Sequence, residues 1–174
     1  VWLGTSQGLS RFDGYRFVNF IPDPADTTSL SGSLVRVIFE DSQGNLLIGT
    51  ENGGLNVFDH KKEFFLHPYK NHREFSSGEV SVNSITNDRY GNLYIGTDKS
   101  LLKIDTTGKL TRINPESFPQ SNDFSGSFIR EVQFDETDNL CIGTTNGLFL
   151  YYPETNLIEH IHVPMANKQS NEIF

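Results

Sequence analysis

Cysteine, tryptophan, methionine and long apolar runs are all scarce in this sequence of 174 residues. The single cysteine, Cys141, excludes an intramolecular disulfide and a cysteine-based zinc site. No run approaches the roughly 18 apolar residues that a membrane-spanning helix needs. The sequence also lacks the basic and apolar opening of a signal peptide. We therefore expect no direct membrane insertion of this chain.

Basic residues are few as well. The 14 Lys and Arg residues are outnumbered by 22 acidic residues, which gives a formal charge of −8. Nucleic acids and anionic membranes are bound through a concentrated basic surface, so this balance argues against nucleic acid as a partner. The hydrophobic share of 36% and the charged share of 21% are those of a folded domain.

The sequence is rich in glycine and phenylalanine, and it contains an internal repeat. Four short strings end in Gly-Thr, and their glycines follow one another at intervals of 45, 47 and 47 residues. A Leu-containing string follows each of them, and an Asp-containing turn precedes the later three. Such spacing indicates that one structural unit is used several times. The four strings are Trp2–Thr5, Leu47–Thr50, Tyr94–Thr97 and Cys141–Thr144.

Each unit is predicted to contain four short strands separated by turns. In the best preserved copy the strands are Val35–Glu40, Leu46–Thr50, Leu55–Asp59 and Glu63–Tyr69. No segment has a sustained helical period. Four strands in a unit of this length are typical of a β-propeller blade. The sequence therefore predicts an all-β fold, a β-propeller fragment of nearly four four-stranded antiparallel blades.

The blades divide residues 1–174 into units of one propeller. Both ends fall inside the pattern, so we expect a piece of a larger protein. An open half-ring exposes strand edges. We therefore predict that the ends pair within one chain, or that two chains associate as a homodimer with a ring of about eight blades. The units are 1–32, which lacks its inner strand, 33–79, 80–126, 127–169 and 170–174, which begins the next inner strand.

The repeated residues are interpreted as architecture. A glycine in each second strand is predicted to permit close approach between strands. Apolar residues of the third strand are predicted to pack between blades, and Cys141 is interpreted as a small core filler. The glycines are Gly4, Gly49, Gly96 and Gly143, and the packing residues are Phe12, Phe58 and Ile104.

These motifs resemble a known family. The stretch Trp2–Gly14 and the pattern over 35–59, with weaker copies over 82–105 and 129–152, are similar to the two-component regulator propeller repeat. Such repeats form the periplasmic sensor region of Bacteroides-type hybrid two-component histidine kinases. The resemblance implies a non-catalytic, periplasmic sensory propeller that detects polysaccharide-derived oligosaccharides to regulate glycan utilisation. The kinase and response-regulator parts would lie elsewhere in the parent protein.

Four polar residues occupy equivalent places at the start of the inner strands, near the mouth of the central channel: Arg36, Asn83, Arg130 and Asn171. Arg and Asn can hydrogen-bond sugar hydroxyls, and the guanidinium fork also binds carboxylate and sulfate groups. We predict that these four residues bind an oligosaccharide ligand. The alternative is that they satisfy carbonyl groups at the strand ends or line a wet channel.

The links between blades are a second place to look for binding, because rigid scaffolds often carry their sites on variable loops. These links are predicted to lie with the turns between second and third strands on one face of the propeller. Three aromatic residues of the links, Phe75, Phe118 and Phe124, can stack on sugar rings or merely fill the loops.

No catalytic residue, metal site or cofactor is predicted. His160 and His162 share a strand face, but no third ligand is spaced to join them. Asp23, Asp26 and Asp123 lack the regular spacing of a calcium loop. Two alternatives to the sensor remain open: a propeller enzyme such as a lyase or glycosidase, which needs convergent acids or a metal, and a protein-interaction scaffold.

Overall fold

A computed structural model describes residues 1–76, 79–113 and 127–161. Their fifteen strands form four antiparallel sheets, one of three strands and three of four, and these residues contain no helix. In each sheet every strand pairs with the next strand along the chain. The predicted all-β propeller fold is confirmed. The strands are β1 (Trp2–Thr5), β2 (Gly8–Phe12), β3 (Phe17–Phe20), β4 (Val35–Glu40), β5 (Leu46–Thr50), β6 (Gly54–Asp59), β7 (Phe64–Leu66), β8 (Val82–Asn87), β9 (Leu93–Thr97), β10 (Leu101–Ile104), β11 (Leu110–Ile113), β12 (Ile129–Phe134), β13 (Leu140–Thr144), β14 (Gly147–Tyr152) and β15 (Leu157–Ile161).

The second sheet follows its predicted strands closely. Strands β4 and β5 begin and end where the sequence places them, and β6 begins one residue earlier, at Gly54. Strand β7 is shorter than predicted. Glu63 has a left-handed φ of 56°, and backbone hydrogen bonds of tight turns follow over 67–75, so only Phe64–Leu66 extends the ladder. The unit boundaries at 33, 80 and 127 stay predictions.

An aspartate holds the turn between the first and second strands of each complete sheet. The Oδ1 atom of Asp41 accepts hydrogen bonds from the backbone N–H groups two and four residues later, at 2.9 and 2.8 Å. Asp88 and Asp135 accept the same pair of bonds in the next two sheets. Asp138 replaces the turn glycine in the last copy and adopts a φ of 62°. The turn is therefore kept without glycine, because Asp tolerates the left-handed region better than most residues.

Three of the four second-strand glycines, Gly4, Gly49 and Gly96, lie against the inner strand of the following sheet. A Cβ atom on Gly49 would lie 2.5 Å from Cγ1 of Val37 and 2.6 Å from Cγ1 of Val82. The prediction that this glycine permits close approach is confirmed, because any side chain there would collide with both strands. The equivalent pairs between other sheets are Gly4 with Val35 and Gly96 with Ile129.

Three apolar clusters lie between successive sheets. Phe58 belongs to the first cluster and Ile104 to the second, as expected of residues that pack between blades. Phe12 differs from the prediction, since its ring packs against Phe17 of its own sheet with ring centroids 4.7 Å apart. Burying these side chains contributes about 1.5–3 kcal/mol for each large residue, so the junctions between sheets carry most of the core.

Candidate functional site

The start of each inner strand contains a β-bulge. The pairing register shifts between Val35 and Val37 in β4, and the same shift occurs at the start of β8 and of β12. The extra residues are Arg36, Asn83 and Arg130. A bulge leaves one residue outside the ladder and re-aims its side chain, which is why bulges are common beside functional sites. Three of the four residues predicted from the sequence therefore share one backbone feature.

The three bulge residues line a single cavity of about 390 Å³. The structure thus brings together side chains that are 47 residues apart in the sequence. Glu131 also lines this cavity. We call it the channel-mouth cavity. The fourth predicted residue, Asn171, lies outside the described residues.

Hydrogen bonds and charges differ among the three bulge residues. Nη2 of Arg36 lies 2.9 Å from Oε2 of Glu51, in the turn between β5 and β6. The side-chain amide of Asn83 donates to the carbonyl oxygen of Ile129 at 2.7 Å, which is the structural role left open as an alternative. Arg130 is exposed and makes no hydrogen bond or ion pair with the described residues. It is the cation most available to a ligand.

Glu131 is held in place by the neighbouring inner strand. Its carboxylate accepts a hydrogen bond from the hydroxyl of Ser84, which in turn accepts one from the backbone N–H of Val132 at 3.1 Å. Sequence reasoning missed both Glu51 and Glu131. Aligning the repeats would have singled out Glu131, because Val37 and Ser84 occupy the same place in the earlier copies.

A second cavity, of about 350 Å³, lies at the same end of the strands. It is lined by the link over 22–31, by the turn residues 52–55 and by five residues of the next link, His67, Tyr69, Lys70, Phe75 and Val80. We call it the link-face cavity. Phe75, one of the three link aromatics, forms part of it, whereas Phe118 and Phe124 lie outside the described residues. The sequence places the links on this face but does not predict a cavity there.

The remaining candidates do not form a reactive site. His160 stacks on Phe149 with ring centroids 4.5 Å apart, and His162 lies outside the described residues. Within the described part of the chain, no three His, Cys, Asp or Glu residues are grouped to hold a metal ion. Burial, together with the nearby Asp135 carboxylate, raises the pKa of the Cys141 thiol, so thiolate is scarce at neutral pH.

The acidic link residues hold their own loop. Asp23 accepts a hydrogen bond from the backbone N–H of Ala25 at 2.9 Å. Asp26 accepts from both the backbone N–H and the hydroxyl of Thr28, at 2.8 and 2.6 Å. Asp123, the third aspartate of the links, lies outside the described residues. Asp23 and Asp26 both line the link-face cavity.

Two segments, 29–52 and 76–99, match the family model described as two component regulator propeller. Each covers the end of a link, an inner strand with its bulge, the Asp turn and the second strand. These two parts of the chain are therefore similar to the two-component regulator propeller repeat. No curated protein matches the sequence.

Solved structures from B. thetaiotaomicron resemble this chain. One is the extracellular domain of BT4673, described as a one component system, with 25% identity and a TM-score of 0.73 over 93% of this chain. A second structure of BT4673, described as part of a hybrid two component system, is 22% identical with a TM-score of 0.74 over 95% of this chain. The extracellular domain of the hybrid system BT3049 is 21% identical, with a TM-score of 0.69 over 92% of this chain.

This chain is short beside these structures, since it spans 21% of the length of each. Virginiamycin B lyase from Staphylococcus aureus is also similar, at 17% identity and a TM-score of 0.61, over 94% of this chain and 52% of that one. That likeness shows the fold alone. In the residues that the structure describes, no helix is long and apolar enough to cross a membrane.

Proposed function

We propose that this propeller is a non-catalytic, ligand-binding sensory module in the periplasmic part of a hybrid two-component histidine kinase. The similarity to extracellular domains of B. thetaiotaomicron, two of them described as parts of hybrid two component systems, supports this proposal. In such a protein the phosphoryl-transfer chemistry belongs to other domains. The propeller contributes recognition, and its ligand is an oligosaccharide released from a polysaccharide.

The observation that carries the proposal is the channel-mouth cavity, into which three successive blades each direct one bulge residue. Arg36 and Arg130 supply guanidinium donors, and Asn83 keeps its carbonyl oxygen as an acceptor while its amide bonds Ile129. Arg130 has the largest role, because Arg36 is already paired with Glu51. A ligand held by several blades favours one arrangement of them, and that difference in affinity shifts the population of conformations.

Calorimetry with a panel of oligosaccharides, carried out on the whole periplasmic region that contains this chain, tests the proposal. We expect Arg130→Ala to weaken binding about 10- to 100-fold, the loss that corresponds to one charge-assisted hydrogen bond of about 1.5–3 kcal/mol. Arg130→Lys keeps the charge but loses the planar fork, so its affinity should lie between that of the parent protein and that of Arg130→Ala.

The matched control is Arg16→Ala. Arg16 is 80% exposed in the turn between β2 and β3 and does not line the cavity, so this variant should bind like the parent protein. Equal losses in Arg16→Ala and Arg130→Ala would mean that the channel mouth is not the ligand site. Cleavage of an oligosaccharide by the purified protein would replace the sensory proposal with an enzymatic one.

A further inference from the structure

The link-face cavity is separate from the channel mouth. The two cavities share no lining residue, although both lie at the end of the strands where the inner strands begin. Its volume of about 350 Å³ is within the range of small-molecule sites. The cavity sits at the junction of three chain segments that belong to two links and one hairpin turn, so its shape depends on how these segments are tied together.

Hydrogen bonds between the segments fix the walls. The hydroxyl of Ser31 donates to the carbonyl oxygen of Gly53 at 2.6 Å, and the backbone N–H of Gly54 donates to the carbonyl oxygen of Val80 at 2.9 Å. Nε2 of His67 lies 3.1 Å from the carbonyl oxygen of Ser29. Burial lowers the pKa of His67, so its imidazole is neutral at pH 7. The cavity is preformed, which spares a ligand the cost of ordering the loops.

The floor of the cavity is apolar. Leu30, Leu55, Phe75 and Val80 line it, and all four are buried in the core. Gly54 has a φ of +73°, and a Cβ atom there would lie 3.2 Å from Cδ1 of Phe75. The missing side chain lets the edge of the Phe75 ring reach the floor. A ligand placed on this floor therefore needs one apolar face.

The rim is polar, and its described residues include two carboxylates, Asp23 and Asp26, against one cation, Lys70. Asp23 and Asp26 each use Oδ1 for the link itself, which leaves both Oδ2 atoms without a hydrogen bond to the described residues. Asn52 and Lys70 stand on the other segments of the rim. Carboxylate oxygens bind hydroxyl donors strongly, whereas the negative charges of two carboxylates on one rim repel an anionic ligand.

We propose that the link-face cavity binds a neutral pyranose ring. The ring lays its C–H face on the apolar floor and donates hydroxyl hydrogen bonds to Oδ2 of Asp23 and Asp26. Asn52 and Lys70 donate to hydroxyl oxygens on the opposite edge. This site differs in charge from the channel mouth, which presents guanidinium groups, and it can exist whether or not the channel mouth binds a ligand.

Saturation-transfer NMR with the whole 174-residue chain tests the inference, using glucose, galactose, mannose and xylose as neutral probes and glucuronate as an anionic one. We expect saturation of the ring C–H protons of at least one neutral sugar, and a weaker signal from glucuronate when Arg130→Ala removes the exposed guanidinium of the channel mouth. Asp26→Asn retains an acceptor for Thr28 but removes the free carboxylate oxygen, and it should weaken binding about fivefold or more.

A bulky residue on the rim of the link-face cavity gives a second variant that leaves the core unchanged. Thr27 is exposed on the rim, so Thr27→Trp should block the cavity and abolish the signal. Ser42→Trp places the same side chain in an exposed turn at the other end of the strands and should leave binding unchanged. Circular dichroism confirms that both variants are folded.

Variants of the channel mouth separate this inference from the proposed function. Arg130→Ala should leave neutral-sugar binding intact. If Arg130→Ala abolishes the signal while Thr27→Trp preserves it, the sugar lies at the channel mouth and the inference is wrong. Absence of saturation transfer from every neutral sugar at tens of millimolar would also overturn it, without bearing on calorimetric results for larger oligosaccharides.

Discussion

At the scale of the residue, the glycine of the second strand decides how closely two blades pack. Its neighbours in the following sheet are β-branched at all three junctions in the described residues, and their methyl groups fill the place of the missing side chain. Gly143 is the exception. The nearest atom to a Cβ at this position belongs to Glu131 of its own sheet, 3.8 Å away. One repeated residue type therefore stands in two different surroundings.

This contrast makes a stability prediction. Gly49→Ala forces the Cβ atom against two valine methyl groups and a carbonyl oxygen, so it should lower the free energy of unfolding by about 1–3 kcal/mol. Gly143→Ala meets no close atom and should change that free energy by no more than about 0.5 kcal/mol. Urea denaturation of both variants measures the difference. Equal effects would contradict the close packing at Gly49.

At the scale of the element, the hairpin turns depend on ionised aspartates. Asp13, Asp59, Asp105 and Asp135 each stand at a turn between two strands. Hydrogen bonds from nearby residues lower the pKa of each carboxyl from its ordinary value of 3.8. For Asp135 the largest contribution is the backbone N–H of Asn139, and the hydroxyl of Thr137 follows. These turns are therefore favoured by the charged carboxylate.

The lowered pKa values predict the direction of the acid response. Stability from Asp135 is fully present above the unfolded pKa of about 3.8 and is lost as the pH falls through the lower folded value. Asp135→Asn should be less stable than the parent chain at pH 7, and the gap should narrow between about pH 4 and pH 2. Thermal unfolding across this pH range measures it.

The control for this experiment is Glu136→Gln. Glu136 is an exposed neighbour that makes no hydrogen bond with the described residues. The difference in stability between Glu136→Gln and the parent chain should therefore not narrow as the pH falls from about 4 to about 2. A gap between Asp135→Asn and the parent chain that stays constant from pH 7 to pH 2 would show that the turn does not depend on the carboxylate charge.

Strands and turns could be predicted from the sequence because the pattern of each one occurs in several copies of the repeat. The strand limits of β4 and β5 are those predicted, since apolar alternation and turn residues agree there. The bulges could not be predicted, because a register shift depends on pairing between strands and leaves no mark in one strand alone. The sequence placed Arg36 at the channel mouth but did not reveal its ion pair with Glu51.

The link-face cavity could not be predicted from the sequence for a related reason. Links differ from blade to blade, so no repeat reports on their conformation. The cavity arises from single contacts between distant segments, such as the hydrogen bond from Ser31 to Gly53 and the contact of His67 with Ser29. The sequence left open whether Phe75 stacks on a sugar or fills its loop, and the structure buries most of its ring.

At the scale of the whole molecule, the stack of sheets has two unequal ends within the described residues. Strand β1 pairs with β2 alone, whereas its counterparts in the other sheets, β5, β9 and β13, each pair on both edges. On the last sheet the face around Gly143 lacks the β-branched neighbour found at the other junctions. Unpaired strand edges tend to recruit another chain. The self-association expected from the sequence remains a prediction, and these surfaces are where it would occur.

Sedimentation velocity on the 174-residue chain at micromolar concentration checks the prediction, and we expect dimers or larger species. Leu3→Lys places a charge on the open strand β1, where Leu3 is 45% exposed, and should reduce association. Leu66→Lys introduces the same charge at a residue with 46% exposure on the short strand β7 and should have little effect. A single monomeric species would contradict self-association through these ends.

The bulges have a consequence for how such propellers change over evolutionary time. A residue outside the ladder does not take part in the pairing that sets the sheet, and the three bulges already hold Arg, Asn and Arg on the same backbone. Substitution at one of these positions therefore alters the lining of the channel mouth while the register of the strands stays the same. Under the proposed function, single mutations at these positions change the ligand preference one blade at a time, on a scaffold that does not have to be rebuilt.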